Sequence, residues 1–251
     1  MRKMAVVLFA LVVVNTVCFG ANPFDEFKNT LTGEAKEIVQ DTLDNFAKDL
    51  GGLMGGGAFR QGKSLGIPGF DIGLRIPAKK INKDNIIMKN ADLDSVFLPV
   101  LQAEIGLPSN IDLIGLFTSY AESSLMGAGV RYGLFQQSIP GMPCVSAQVL
   151  YTTLDVKSGD NKLKANTISA AVVLSINLPV FVPYVGAGMD KTTVEPNAII
   201  PLPESGMKGE ATGYRFEAGV NLSLVPFTYL QLGGALLGSD IAYTLGLGLN
   251  F

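Results

Sequence analysis

Charged and amide side chains in this chain recur inside otherwise apolar, alternating stretches: Asp71 and Arg75 in "GFDIGLRI", Gln102 and Glu104 in "LQAEIG", Arg131 in "LMGAGVRYGL", Gln148 in "CVSAQVL", and Arg215 and Glu217 in "YRFEAGVNLSL". Carboxylates and guanidiniums placed this way can neutralise one another in a buried network, line a constriction that selects an ion, or work as an acid–base pair. The chain has no histidine, so routes that rely on imidazole for proton transfer near neutral pH have no side chain to run on. No spacing singles out a carboxylate pair either, and a protein that is not an enzyme is expected. Two cysteines and no histidine supply too few ligands for zinc or haem, so no metal and no cofactor are expected. "GLMGGGAFRQGKS" shares Gly62, Lys63 and Ser64 with a phosphate loop, but no apolar strand precedes Gly57 and that chemistry is set aside.

The elements that carry these residues have a period of two. Phe70, Ile72, Leu74 and Ile76 alternate with Asp71, Gly73 and Arg75; Met126, Ala128, Val130, Tyr132 and Leu134 alternate with Gly127, Gly129, Arg131 and Gly133; and Tyr214, Phe216, Ala218, Val220, Leu222 and Leu224 alternate with Arg215, Glu217, Gly219, Asn221 and Ser223. Ten such strands are predicted, at about 66–78, 94–106, 110–120, 125–137, 144–156, 162–177, 181–194, 210–224, 227–237 and 240–251, with eight to twelve as the range. Ahead of them the period is helical. Phe24, Phe27, Leu31, Ala35, Ile38, Val39, Leu43, Phe46 and Leu50 share one face, Asn22 and Pro23 suit a helix start, and Gly51 and Gly52 suit a stop. The predicted organisation is an amphipathic helix within 21–52, a flexible glycine-rich linker at 53–63, and the strands from 64 to 251.

Residues 1–20 form a basic start, an apolar run and small residues at Cys18 and Gly20, the pattern of a cleaved secretory signal. The run is shorter than the about 20 residues a membrane-spanning helix needs. Cleavage removes Arg2 and Lys3 and leaves 17 basic against 22 acidic residues, which argues against nucleic acid as a partner. It also leaves Cys144 as the only thiol, so no intramolecular disulfide can hold the fold.

Strands with one apolar face fit either a soluble sandwich, with strands of about five or six residues, or a membrane barrel, with strands of about 9 to 11. The length here favours the barrel, and so does the segregation of the connections. "LPSN", "IPGMP", "NLPVFVP" and "VPF" carry proline and fall on one rim. "KKINKDNIIMKNAD", "ESS", "KSGDN", "EPNAIIPLPESGMKG" and "LGSD" fall on the other, and include the two longest connections. The expected fold class is all-β, an antiparallel transmembrane β-barrel preceded by one helix at its mouth or in the periplasm, because insertion of a helix about 10–12 Å across would be tight in ten strands.

The last strand, "YTLGLGLNF", alternates apolar residues and closes on an aromatic. This ending resembles the assembly signal of bacterial outer-membrane β-barrel proteins, with Tyr243, Leu245, Leu247, Leu249 and Phe251 as the matching positions. The glycine-rich stretch and "GIPGFDIGLRIP" also resemble uncharacterised small barrels with an N-terminal helical lead. The resemblance implies localisation in the bacterial outer membrane, contact with outer-membrane lipid, and recognition by the barrel-assembly machinery through the C-terminal strand.

Two arrangements stay open for the lumen residues Asp71, Arg75, Glu104, Arg131, Arg215 and Glu217. They form a paired network that fills a narrow lumen, or Arg75, Arg131 and Arg215 form a constriction for a small anion facing Asp71, Glu104 and Glu217. The expected function is non-enzymatic: a structural barrel or one that passes a small solute. The alternatives are a surface-loop adhesin or partner-binding barrel, and a soluble periplasmic lipid-binding β-protein.

Overall fold

The computed structural model describes residues 36–55, 58–81, 95–120, 123–158, 161–197 and 206–251. The signal segment, the start of the expected helix, and most of the two longest loops lie outside the described residues.

Ten antiparallel strands form a single closed sheet. They are β1 (Phe70–Lys80), β2 (Ser95–Phe97 and Val100–Leu107), β3 (Ile111–Tyr120), β4 (Ser123–Phe135), β5 (Pro143–Ser158), β6 (Asn161–Ile176), β7 (Phe181–Asn197), β8 (Gly209–Leu222), β9 (Thr228–Leu237) and β10 (Asp240–Asn250). Each pairs with its sequence neighbour, and β10 closes on β1 with Asp71 opposite Asn250 and Lys79 opposite Ala242. Closure pairs both edges that an open sheet would leave exposed. The two pieces of β2 keep one register on β1, Arg75 opposite Val100 and Ala78 opposite Phe97. The break falls at Leu98 and Pro99, where proline has no N–H to give to the ladder.

One rim carries the turns at 108–110, 136–142, 177–180 and 223–227; the other carries the two longest connections, after β1 and β7, together with two-residue connections after β3, β5 and β9. These are called the turn rim and the loop rim. Burial alternates along the strands: in β10 Ile241, Tyr243, Leu245, Leu247 and Leu249 are exposed outward, and the residues between them are buried inward.

The helix departs from expectation. It is α1 (Lys36–Met54), it runs through Gly51 and Gly52, and it lies inside the barrel rather than across a mouth. Its stripe of Val39, Leu43, Phe46, Ala47, Leu50 and Met54 packs on wall residues Leu125, Leu150, Leu154, Leu163, Ala165 and Val194. The space is found by removing side chains. A Cβ on Gly51 would stand 2.3 Å from Thr192 Oγ1 on β7, one on Gly52 would stand 2.6 Å from Leu237 Cδ1 on β9, and one on the wall's Gly209 would stand 2.3 Å from the Leu43 carbonyl. The glycines that sequence reasoning takes as a helix stop are there for close approach.

The predicted flexible linker is a packed strap. Residues 58–66 continue from the helix to the turn rim through the lumen, and Ala58, Phe59, Arg60, Gln61 and Gly62 are all buried. A Cβ on Gly62 would meet the backbone oxygens of Cys144 and Val173 at 2.3 and 2.8 Å. The lumen therefore has two layers, an apolar sleeve around α1 towards the loop rim and a polar floor around the strap towards the turn rim.

Candidate functional site

The polar floor is built on Arg60 of the strap. Its Nη2 lies 3.6 Å from Asp71 Oδ2 and 4.0 Å from Glu104 Oε2. With its amide oxygen turned inward, Asn250 accepts from the two Arg60 Nη atoms at 3.0 and 3.2 Å. The guanidinium sits over the Tyr229 ring, 4.9 Å from its centroid, and Arg75 lies 5.1 Å from the same centroid. Arg75 Nη2 donates to Asp71 Oδ1 at 3.2 Å and to the Tyr229 hydroxyl, and that hydroxyl donates to Asp71 Oδ1 at 2.9 Å. Arg131 Nη2 reaches Glu104 Oε2 at 2.6 Å and Asp112 Oδ2 at 2.8 Å, and Gln102 donates to Glu104 Oε1 at 2.6 Å.

Strand parity explains why these residues meet. Asp71 is opposite Glu104 across β1 and β2, and Asp112 is opposite Arg131 across β3 and β4, so all four point inward at neighbouring places on the wall. Three guanidiniums, Arg60, Arg75 and Arg131, thus face three carboxylates, Asp71, Glu104 and Asp112. The cluster has no net charge when all six are ionised. Buried charge of one sign would be costly, and ion pairing, at 2.6–3.2 Å between wall residues and 3.6–4.0 Å from Arg60, is the arrangement that offsets it.

A second cluster lies on the opposite wall. Arg215 pairs with Asp190 at 3.2 Å, stands 4.2 Å from the centroid of Phe59 in the strap, and Ser169 donates to Asp190 at 2.5 Å. Glu217 accepts from the Tyr184 hydroxyl at 3.1 Å, and Gln231 donates to Tyr184 at 2.9 Å and to the Phe59 carbonyl at 2.7 Å.

The strap backbone is satisfied by the wall. The Gly62 amide donates to Ser175 Oγ at 2.9 Å, the Ser64 amide to Gln136 at 2.8 Å and the Leu65 amide to Asp112 at 2.9 Å. Asn221 donates to the Arg60 carbonyl at 2.7 Å and Gln136 to the Gly62 carbonyl at 2.9 Å. At the loop rim Lys79 pairs with Asp49 of α1 and, at 3.1 Å, with Asp240. Lys208 donates to Glu195 at 2.7 Å, which holds its ammonium above the usual pKa.

Of the residues singled out from sequence, Asp71, Arg75, Glu104 and Arg131 share one cluster, while Arg215 and Glu217 belong to the other; all six are buried inside. Sequence reasoning misses Arg60, Tyr229, Asp112 and Asp190. Tyr229 and Asp112 carry a signal, since each sits on the inward parity of its strand, but Arg60 lies in a segment without periodicity. Gly62, Lys63 and Ser64 belong to the strap, with Lys63 exposed at the turn rim and the other two buried. Tyr243, Leu245, Leu247, Leu249 and Phe251 all face outward. Phe251 also holds the seam. It stacks on Phe70 at 4.6 Å and on Phe227 at 5.3 Å, and exchanges backbone hydrogen bonds with Phe70 at 2.9 and 3.0 Å.

Several solved structures are similar to this chain at low identity. The N-terminal β-barrel domain of Pseudomonas aeruginosa OprF is 14% identical, with 72% of this chain and 97% of that one covered and a TM-score of 0.34. Neisserial surface protein A is 15% identical, covering 73% and 96%, with a TM-score of 0.34. The KdgM porin is 6% identical, covering 72% and 99%, with a TM-score of 0.35. No curated protein matches the sequence. Residues 85–251, which include every strand from β2 to β10, match one described family, and the chain belongs to it: the family of unknown function DUF6588.

Proposed function

We propose that this chain is a non-enzymatic β-barrel of the bacterial outer membrane, with a lumen occluded by its own N-terminal helix and strap. The membrane setting is supported by the outward face. Phe70, Phe135, Phe181, Phe227 and Phe251 are exposed around the turn rim, and Phe117, Tyr151, Tyr214 and Tyr243 are exposed further up the wall. From Phe251 to Tyr243 is about 26 Å of strand at ~3.3 Å per residue, or about 20 Å along the axis at ~40° tilt. That separation is near the ~25 Å apolar band that aromatic girdles flank in membrane barrels. Between the girdles the exposed outward residues include Leu245, Leu247, Val130, Val149, Val172 and Val185. The outward-facing C-terminal strand supports recognition by the assembly machinery.

The single observation that carries occlusion is the buried position of the Arg60 guanidinium among Asp71, Glu104 and Asn250. A strap side chain is tied at once to β1, β2 and β10, while α1 closes the sleeve above it. The side chains that could select an anion are already bonded to each other, which favours the paired network over the constriction. Passage of a small solute then requires both α1 and the strap to leave the lumen. A soluble lipid carrier would instead need an apolar interior for its cargo, and here that interior is occupied by α1.

Conductance in planar bilayers tests this reading. The full mature chain is expected to show no steady current, and a variant without residues 36–65 to show discrete open steps. Steady current through the intact chain would overturn occlusion. Recovery of the protein in the aqueous fraction after cell breakage, with no heat-dependent shift in gel mobility, would overturn the membrane assignment.

A further inference from the structure

The barrel strands begin and end on one face, and α1 begins on the other. Phe70 and Phe251 meet at the turn rim. At the loop rim, Gln40 donates to the Lys208 carbonyl at 2.8 Å and the Glu210 amide donates to Asp44 at 2.7 Å. Lys36, Glu37 and Ile38 are exposed there. From that end the contacts descend β7 step by step: Gly51 lies against Thr192, Gly55 against Asp190, and Phe59 against Gly186. The crossing finishes with Leu65 bonded to Asp112, the second residue of β3. A helix of 19 residues is about 28 Å long, so α1 and the strap together make one full passage of the lumen.

The sleeve around α1 is full. At the level of Gly51 and Gly52 the helix touches β1, β7 and β9 together, through Lys79, Thr192 and Leu237, and higher up Gly209 of β8 closes on Leu43. Leu43 and Ala47 have no exposed surface, and a second length of backbone does not fit beside them.

We infer that α1 enters the lumen from the cell-surface side, so that its first turn, Lys36 to Ile38, is presented on the loop-rim face and opposite Phe251. This rests on the outer-membrane reading above, which makes the long-loop face the cell surface. The plug is then reachable from outside the cell and tethered from inside by the strap.

Thiol labelling of intact cells tests the inference. Cys144 is buried and is replaced by serine in every variant. Glu37→Cys reports the start of α1, Ser239→Cys the loop rim and Ser138→Cys the turn rim; all three positions are exposed. A membrane-impermeant maleimide is expected to label Glu37→Cys and Ser239→Cys on intact cells, with complete loss of labelling at Ser138→Cys until the outer membrane is permeabilised. If Ser239→Cys labels on intact cells and Glu37→Cys only after permeabilisation, the inferred side of entry is wrong while the orientation of the barrel stands. If Ser138→Cys is the one labelled on intact cells, the orientation fails and surface presentation fails with it. An epitope inserted ahead of Lys36 gives the same decision without a substitution in the helix. Antibody binding to intact cells supports the inference, and binding only after permeabilisation overturns it.

Discussion

Replacing Arg60 with methionine keeps most of the side chain's volume and removes its charge. The guanidinium is 3% exposed and shares Asp71, Glu104 and Asn250 with the wall. Its loss leaves three carboxylates facing only Arg75 and Arg131. Removing one partner from a buried charged network costs about 3–5 kcal/mol, and here the cost falls on the strap because the wall pairs stay in place. At about 1.4 kcal/mol per tenfold, local opening of the strap should become roughly a hundred to several thousand times more frequent. Hydrogen exchange in detergent-solubilised protein reads this directly at the amides of Gly62, Ser64 and Leu65, which bond to Ser175, Gln136 and Asp112. The ladder amides between β5 and β6 serve as the internal reference and should not change. The double variant Arg60→Met with Asp71→Asn restores charge balance and keeps an oxygen for Arg75 and Tyr229, so it should recover part of the protection. Strap amides that exchange as slowly in Arg60→Met as in the parent would refute the reasoning.

Three further perturbations separate the parts of the structure. Leu43→Ala empties a fully buried position in the sleeve and should weaken docking of α1 by about 2–5 kcal/mol, seen as faster exchange of helix amides with the strand amides unchanged. Gly62→Val drives a Cβ into two wall carbonyls that cannot yield, a cost of at least about 1–3 kcal/mol, and should make the strap sensitive to limited proteolysis. Deleting Phe251 removes a ring stack and two backbone hydrogen bonds at the β1–β10 seam and a second stack on Phe227 in the turn before β9. Each stack contributes about 0.5–1.5 kcal/mol beyond its buried area, so the fraction assembled in the membrane should fall; an unchanged fraction would remove the role assigned to the ending.

What the sequence makes legible is what alternation controls. A wall with an apolar outside and a packed inside imposes period two on every strand, so the ten strands, the two rims and the inward direction of Asp71, Arg75, Glu104, Arg131, Arg215 and Glu217 can all be read from spacing. Partner choice cannot be read this way, because parity says which side a residue faces and not which neighbour it reaches; Arg215 finds Asp190 diagonally on adjacent β7, two residues from Gly188 directly opposite. The plug is hidden for a different reason. The stripe of Val39, Leu43, Phe46 and Leu50 is the same whether the helix lies on a mouth or inside a sleeve. Glycine at 51, 52 and 62 has two physical uses, freedom and closeness, and only the neighbouring wall atoms tell them apart. The strap has no period at all, and its partners Asp112, Ser175, Asn221 and Asn250 are far away in sequence.

The central claim is that α1 occupies the lumen, and a cross-link between helix and wall tests it most directly. A Cβ at position 51 lies 3.2 Å from Thr192 Cβ, close to the ~3.8 Å spacing of a disulfide. In the Cys144→Ser background, the Gly51→Cys/Thr192→Cys variant assembled in membranes should form an intramolecular disulfide on mild oxidation, visible as a mobility shift that reduction reverses. Two thiols that remain free and reactive under the same oxidation would place the helix outside the barrel and contradict the account.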